Sequence, residues 1–159
     1  MIGLLQRVTS AAVTVEGREI ARIGPGLLVL VGVERGDDEA AAERLLERLV
    51  SYRVFADAEG RMNLSLADTG GALLLVPQFT LAADTAKGLR PGFSRAAAPA
   101  DAERLFGHMA KRAEKRLPNA QTGRFGAPMR VSLENDGPVT FWIRVPGHEG
   151  SAGMAYHDV

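Results

Sequence analysis

The chain has 159 residues, of which 46% are hydrophobic and 24% are charged, and its formal net charge at pH 7 is zero. These values are typical of one folded domain and exclude a mainly disordered chain. The absence of cysteine excludes disulfides, thiolate nucleophiles and cysteine zinc sites. Polar residues interrupt the N-terminus and the apolar runs at 27–31 and 72–76 are short, so we expect a soluble cytoplasmic protein without a signal peptide or membrane span.

The neutral total conceals an uneven distribution of charge along the chain. Residues 1–83 carry 8 Lys and Arg against 11 Asp and Glu, whereas residues 84–130 carry 10 against 4. The second balance, +6 from these counts, can offer phosphate groups a positive surface. It is equally compatible with a solvated helix face flanked by loops.

The first half of the chain predicts strands followed by a helix and further strands. Within residues 2–34 we expect three or four strands, with a turn at Glu16-Gly17 and an apolar strand at 27–33 that is buried on both faces. Apolar residues at helical spacing predict a helix over 37–50, capped by Gly36 or Asp37. A short strand at 52–57 and an apolar strand at 72–81, interrupted by Pro77, follow.

The second half predicts a long loop at 82–97, a helix over 99–117 and a glycine-rich connection at 121–128. Residues 129–134 and 139–145 alternate like strands on either side of NDGPVT, which predicts a hairpin. We therefore expect one mixed α/β domain over residues 1–145, with largely antiparallel sheets and the two main helices on one side. Residues 146–159 predict a flexible C-terminal tail.

The three histidines argue against histidine catalysis. His108 lies opposite the apolar face of the second predicted helix and is expected to face solvent, while His148 and His157 fall in the tail. A Ser-His-Asp device and a His/Cys metal site are therefore not expected, and no cofactor motif is present. Adjacent Asp37 and Asp38 are explained by a helix start.

The remaining candidate for chemistry is VPQFTL at 76–81, which ends a buried strand before the long loop. Gln78 offers an amide, Thr80 a hydroxyl, and the backbone of residues 78–80 a set of N–H donors. Pro77 cannot donate to a strand ladder, so neighbouring N–H groups can be free to meet a substrate oxygen. Alternatively, these polar groups satisfy their own backbone at a strand end.

Five motifs in order over nearly the whole chain resemble the bacterial D-aminoacyl-tRNA deacylase family. They are QRVTSAAVTVEG at 6–17 with IGPGLLVLVGV at 23–33, QFTL at 78–81, KGLRP at 87–91, TGRFGA at 122–127 and NDGPVT at 135–140. The resemblance implies β/β/α layers and a homodimer without a cofactor. It also implies hydrolysis of the ester between a D-amino acid and the terminal adenosine of tRNA.

The resemblance also implies roles for individual residues. Gly137-Pro138 would carry a cis bond and enter the other subunit's active site, where its carbonyl oxygens exclude L side chains but admit glycyl-tRNA. Backbone N–H groups near Phe79 and Thr80 would stabilise the oxyanion, helped by the Thr80 hydroxyl or the ribose 2′-hydroxyl.

Three further residues match family positions. Arg7 would hold the incoming Gly-Pro loop through a carbonyl, or else form a surface ion pair. Phe125 and Met129 would shape the pocket wall, or else belong to the core.

One departure leaves two alternatives open. The family motif usually begins with serine where this chain has Pro77, which removes a hydroxyl and an N–H. Either that serine is dispensable, or the protein has altered its rate or substrate. A non-catalytic tRNA-binding module and an esterase acting on another small ester are therefore the competing hypotheses.

Overall fold

Eight strands form the sheets of the computed structural model, which describes residues 1–147: β1 (Ile2–Val15), β2 (Arg18–Ile23), β3 (Gly26–Gly32), β4 (Phe55–Ala56), β5 (Met62–Leu64), β6 (Ala72–Pro77), β7 (Ala120–Thr122) and β8 (Arg130–Arg144). The helices are α1 (Glu39–Ser51), α2 (Leu66–Thr69) and α3 (Pro99–Arg116), with a 3-10 turn at Phe79–Ala82. Within residues 1–147, no helix is both long and apolar enough to span a membrane.

Strand β1 is the centre of the main sheet. Its first half pairs antiparallel with β3 and its second half with β2, while β8 pairs antiparallel along its other edge. Strand β6 continues the sheet parallel to β3, and β7 lies parallel to β6. The mixed, largely antiparallel fold predicted from the sequence is confirmed.

Two apolar cores lie on opposite faces of this sheet. On one face, alternate residues of β3 and β6, among them Val29 and Leu75, pack with α1 and α3. On the other face, Leu28 and Leu74 pack with the second half of β1 and with β2. Because each face is covered, β3 is apolar at nearly every position, as predicted.

The sheet curls until its two end strands approach each other. The Gln121 side chain on β7 accepts from the Arg22 amide at 2.9 Å and donates to the Arg22 carbonyl at 2.6 Å. An amide side chain offers one donor and one acceptor, so Gln121 substitutes for a ladder pair between β2 and β7. The sheet is therefore nearly a closed barrel.

Both main helices are confirmed, but the cap of α1 differs from the prediction. The N-cap is Asp38, whose carboxylate accepts from the Ala41 amide at 2.7 Å, rather than Gly36 or Asp37. Asp37 accepts instead from the Met1 ammonium, at 2.7 Å, and from the Glu34 amide. Both aspartates have structural roles, as expected, but the cap is Asp38 and not Asp37.

The predicted hairpin around residues 135–140 is wrong. Both of its arms belong to one strand, β8, which runs antiparallel to β1 from Arg130 to Arg144. Asn135 pairs with Val8 and Thr140 pairs with Gln6, so residues 136–139 leave the ladder as an outward excursion. The turn chemistry is real, but it forms a long bulge rather than a reversal of the chain.

Other strand boundaries also differ. The strand predicted at 52–57 shortens to β4, and the one predicted at 72–81 stops at Pro77. The Glu16-Gly17 turn is confirmed, since both residues have positive φ. Residues 146 and 147 pack against the domain, Pro146 through a bond from Arg44, whereas the remaining predicted tail lies outside the described residues.

Candidate active site

Two backbone amides are free where β6 ends. The last ladder bond runs from the Gln78 amide to the Val31 carbonyl at 2.7 Å, and the 3-10 turn then begins with Leu81 bonded to the Gln78 carbonyl. The first amides of a helical turn have no partner inside the turn. Across residues 1–147, the amides of Phe79 and Thr80 meet no acceptor, and both residues are exposed. The predicted Gln78 donor, by contrast, is already occupied.

Gly32 allows this turn to lie directly against β3. A Cβ at position 32 would be 2.9 Å from the Leu81 Cβ and 3.3 Å from the Gln78 carbonyl oxygen. Any side chain there would push the turn outward. The position of the Phe79 and Thr80 amides therefore depends on a glycine at the end of the neighbouring strand.

An apolar cleft of about 620 Å³ opens beside the free amides. Its floor includes Leu28 and Leu30 of β3, and its walls are the 125–129 segment and the β8 residues Val131 and Leu133. Gln6 and Gln78 supply the two side-chain amides that line it. Such a chamber suits an apolar or aromatic side chain with a polar group fixed at one end.

Phe125 and Met129 both line the cleft, and both are held by the surrounding structure. The Phe125 ring lies 6.5 Å from that of Phe106 on α3, while the Met129 sulfur accepts from the Arg124 amide at 3.3 Å. The two interpretations of these residues are therefore compatible, because each packs on a core cluster and also forms cleft wall.

The Asn135 side chain closes the base of the β8 excursion by hydrogen bonds. Its side-chain oxygen accepts from the Val139 amide at 2.7 Å, and its NH₂ donates to the Val139 carbonyl at 3.2 Å and to the Thr140 hydroxyl at 3.0 Å. At the exposed tip, Gly137 has φ +146°, which favours glycine, and the Gly137-Pro138 bond is cis. Neither tip residue lines the cleft of its own chain.

Arg7 supports the other side of this excursion. Its Nε donates to the Asp136 carbonyl at 2.9 Å, and its Nη1 donates to the Val54 carbonyl at 2.6 Å. The Asp136 carboxylate lies 3.6 Å from the same Nε. In this chain, therefore, Arg7 fixes its own Gly-Pro loop to the body of the domain. Its ion pair with Asp136 corresponds to the second alternative, and a contact with the loop of another subunit stays a prediction.

Sequence reasoning assigned no role to two residues of this region. Gln6 lines the cleft, and its side-chain oxygen lies 3.4 Å from the Asn135 NH₂. Both belong to motifs that were recognisable, but the contact joins β1 to β8 across 129 positions of sequence. Only the pairing of the two strands brings them together.

Charged groups cluster outside the cleft. Glu34 is buried and forms ion pairs with both the Arg144 guanidinium and the Met1 ammonium. Burial raises the pKa of neighbouring Asp37 against the lowering effect of that ammonium.

His108 was expected to face solvent but lies half-buried with its Nε2 3.0 Å from Glu43 of α1. Residues 1–147 contain no group of three His, Cys, Asp or Glu that could hold a metal.

The arrangement suits addition to an activated carbonyl. Two free amides on a fixed turn can receive a developing oxyanion, and the adjoining cleft can hold the acyl side chain. Such an arrangement is compatible with a hydrolase or an acyl transferase in which backbone groups stabilise the oxyanion.

Comparison with known proteins identifies the family. The sequence profile of D-Tyr-tRNA(Tyr) deacylase matches residues 4–144. The D-aminoacyl-tRNA deacylase of Nitrosococcus oceani is 64% identical over 146 residues, covering 92% of this chain and 94% of that protein. The D-aminoacyl-tRNA deacylase of Citrobacter koseri is 61% identical over 145 residues, covering 91% of this chain and 100% of that protein.

A solved structure shares the same fold. The c-Myc DNA unwinding element binding protein superposes with a TM-score of 0.88 at 36% identity, covering 92% of this chain and 100% of that one. The chain belongs to the D-Tyr-tRNA(Tyr) deacylase family. The predicted family, fold and hydrolase class are therefore confirmed.

Proposed function

We propose that this protein hydrolyses the ester bond of D-aminoacyl-tRNA in the cytoplasm, releasing the D-amino acid and free tRNA. The observation that carries the proposal is the pair of unpartnered amides at Phe79 and Thr80 beside an apolar cleft. The names of relatives near 60% identity support the same substrate.

In the proposed reaction, the ester carbonyl oxygen lies against the Phe79 and Thr80 amides, and the amino-acid side chain occupies the cleft. Water adds to the carbonyl carbon, and the resulting oxyanion is stabilised by both N–H groups. The C–O bond to ribose then breaks, the ribose oxygen takes up one proton of the water, and the amino acid leaves as a carboxylate after its other proton passes to solvent. Gln78, which lines the cleft, orients the substrate through its side-chain amide.

The neighbouring ribose 2′-hydroxyl assists proton transfer, with Thr80 as a bystander. The Thr80 hydroxyl has no partner among the described residues that could serve as its base. An unactivated hydroxyl is a weak nucleophile. Thr80→Ala should therefore keep most of the rate, whereas a covalent threonine mechanism would lose it.

L-Aminoacyl-tRNA is excluded by a second copy of the chain. Gly137 and Pro138 are exposed and lie outside the cleft of their own chain, so they are available to the cleft of a partner subunit. Their carbonyl oxygens would occupy the position of an L side chain, which rejects L substrates whatever side chain they carry. Glycine has no side chain to reject, so glycyl-tRNA is also hydrolysed.

The free edge of β8 supports the homodimer. Within residues 1–147, this strand pairs only with β1, and it exposes Trp142 by 58% and Leu133 by 38%. A long open edge with exposed apolar side chains is unfavourable in a monomer. Two copies meeting near β8 would cover it and bring each Gly-Pro tip towards the other cleft.

Pro77 is compatible with this mechanism. It pairs in register with Val31 at the end of β6 and lines the cleft without supplying either of the free amides. In the proposed mechanism, the serine usual in the family is therefore not needed. The single departure from the motif favours a mechanism that uses backbone groups.

The first test is the rate of amino-acid release from D-Tyr-tRNA, L-Tyr-tRNA and glycyl-tRNA with catalytic protein. Release from the D and glycyl substrates alone supports the proposal. Release from D and L alike would refute the exclusion step. No release from any of them would favour a binding module or an esterase of altered substrate, and faster hydrolysis of small esters would identify the latter. Thr80→Ala is compared with Ser51→Ala, which removes an exposed hydroxyl at the end of α1, away from the cleft.

A further inference from the structure

Beyond the cleft, two aromatic rings form an exposed step. Phe79 and Phe93 lie with ring centroids 5.0 Å apart and an interplanar angle of 46°, and they are 58% and 39% exposed. Phe79 lines the cleft on one side, and both rings line a second hollow of about 690 Å³ on the other. The step therefore begins at the proposed reaction centre and leads away from it.

A projecting arm flanks this step. Asp84 and Gly92 exchange two backbone hydrogen bonds, of 2.7 and 3.0 Å, which close residues 84–92 into a loop. Lys87, Leu89 and Arg90 are exposed on it, Leu89 completely. The arm thus presents two cations and an apolar side chain to solvent.

Two further cations stand at the base of the arm. Arg35 and Arg95 are adjacent, because the Arg35 amide donates to the Arg95 carbonyl at 2.9 Å. Across residues 1–147, neither of them nor Lys87 or Arg90 forms an ion pair. The helix arginines 104, 112 and 116, by contrast, each pair with a glutamate.

The acids that line the hollow are largely neutralised. Glu34 is held by Arg144, and Asp37 by the Met1 ammonium, which leaves Asp101 without an ion pair among the described residues. The balance beside the aromatic step is therefore positive. Unpaired cations next to exposed rings are the chemistry that binds single-stranded nucleic acid, through phosphates and stacked bases.

We propose that the Phe79–Phe93 step and the 84–95 arm bind the unpaired 3′ nucleotides of tRNA that precede its terminal adenosine. One base stacks on Phe93, and the phosphates lie against Lys87, Arg90 and Arg95. The inference rests on the proposed function, which places the terminal aminoacyl group in the adjoining cleft. A duplex is not the occupant, because its bases are already stacked and cannot meet the rings.

The test compares two substrates that share the ester but differ in length. D-Tyr-tRNA carries the unpaired nucleotides, whereas 3′-O-D-tyrosyl-adenosine does not. For Phe93→Ala, KM for the tRNA substrate should rise about tenfold, the loss of one base stack, with kcat unchanged. The short substrate should be hydrolysed as by the wild type. Phe93→Leu, which keeps apolar bulk without a ring, should lose nearly as much.

The phosphate contacts are tested by salt dependence. Lys87→Gln with Arg90→Gln should reduce the slope of log KM against log salt by about 0.7 for each phosphate that is no longer neutralised. Arg18→Gln removes an exposed cation on β2 that forms no ion pair within residues 1–147; it is the single-charge control and should leave the slope unchanged. An equal change in both variants would refute a localised phosphate surface.

Failure of the surface and failure of the proposed function give different results. Unchanged KM in Phe93→Ala, or equal loss on both substrates, overturns the surface while wild-type hydrolysis still stands. If the wild type hydrolyses nothing, binding of uncharged tRNA is compared with binding of the same tRNA trimmed of its unpaired 3′ nucleotides. The surface is upheld if trimming weakens tRNA binding to the wild type but not to Phe93→Ala. It is overturned if the wild type binds the intact and the trimmed tRNA equally.

Discussion

Asn135→Ala should loosen the excursion of β8 without altering the reaction centre. The substitution removes both bonds to Val139, at 2.7 and 3.2 Å, the bond to the Thr140 hydroxyl at 3.0 Å and the longer contact with the Gln6 side-chain oxygen at 3.4 Å. Each such bond contributes about 1 kcal/mol net, and solvent partly replaces them in an accessible loop, so we expect a loss of about 1.5 kcal/mol. For a chain of this length, this lowers Tm by about 3–6 °C.

The same loss sets the expected effect on substrate selection. If the ordered loop is disfavoured by about 1.5 kcal/mol, its relative population falls up to about tenfold, and the ratio of D to L hydrolysis falls by a similar factor. Hydrolysis of D-Tyr-tRNA should stay near the wild-type rate, because Phe79 and Thr80 are untouched.

The assay is the pair of release rates on D-Tyr-tRNA and L-Tyr-tRNA, with thermal unfolding measured on the same samples. Asn135→Asp is the matched control, because its carboxylate still accepts from the Val139 amide. Its loss in Tm should be smaller than that of the alanine variant. An unchanged D to L ratio alongside a lowered Tm would show that the loop is not the filter. An unchanged Tm would show that the Asn135 side-chain bonds do not stabilise the loop.

Three further variants test the fold. Gly107→Ala, in the interior of α3 where an added Cβ meets nothing within 4 Å, should raise Tm by about 2–4 °C, a gain of about 1 kcal/mol; a lower Tm would contradict the open space there. Gln121→Ala breaks both bonds to Arg22 and should cost about 1–2 kcal/mol in urea unfolding, with hydrogen exchange rising in β2 before β3. Asp68→Asn tests pH dependence. Hydrogen bonds from Ser65 lower the pKa of this carboxyl below 3.8. Its contribution to the free energy of unfolding is therefore complete above that value and is lost as pH falls through the lower folded pKa. The variant should therefore show a flatter fall in urea midpoint between about pH 5 and pH 3, and an identical slope would refute the assignment.

The elements that sequence patterns predicted well are those governed by their own residues. Helix α3 buries the apolar face that its spacing defined, including Leu105 and Met109. Strand β3 is apolar throughout because both faces are covered. In each case, one element carries the whole signal, so no knowledge of its neighbours was needed.

The predictions failed where contacts with residues distant in sequence determine the local structure. NDGPVT has the composition of a hairpin turn, yet β1 pairs with both arms and keeps the chain running forward. Likewise, Asp37 does not cap α1, because the Met1 ammonium holds it. Local turn and cap rules describe what a segment can form, but the competing contacts come from the other end of the chain.

The candidate site was located for a partly mistaken reason. Pro77 was expected to break the strand and free the amides, but it stays in register with Val31, and the ladder ends one residue later at Gln78. The free amides come from the start of the 3-10 turn, whose position depends on Gly32. Geometry of this kind, set by the approach of two backbones, leaves little trace in a pattern of residue types.

The pairing of β1 with β8 also has a consequence for synthesis on the ribosome. Strand β1 must wait for β8 to be made before it can pair along this edge, since its partner residues extend to Arg144. Contacts of such long sequence separation form slowly, because the intervening chain must be ordered first. A nascent chain that stops before β8 has β3 on one side of β1 and an open edge on the other. It also lacks Val131, Leu133 and the Gly-Pro tip, so neither the complete cleft nor the loop that we propose selects the substrate exists until β8 has been made.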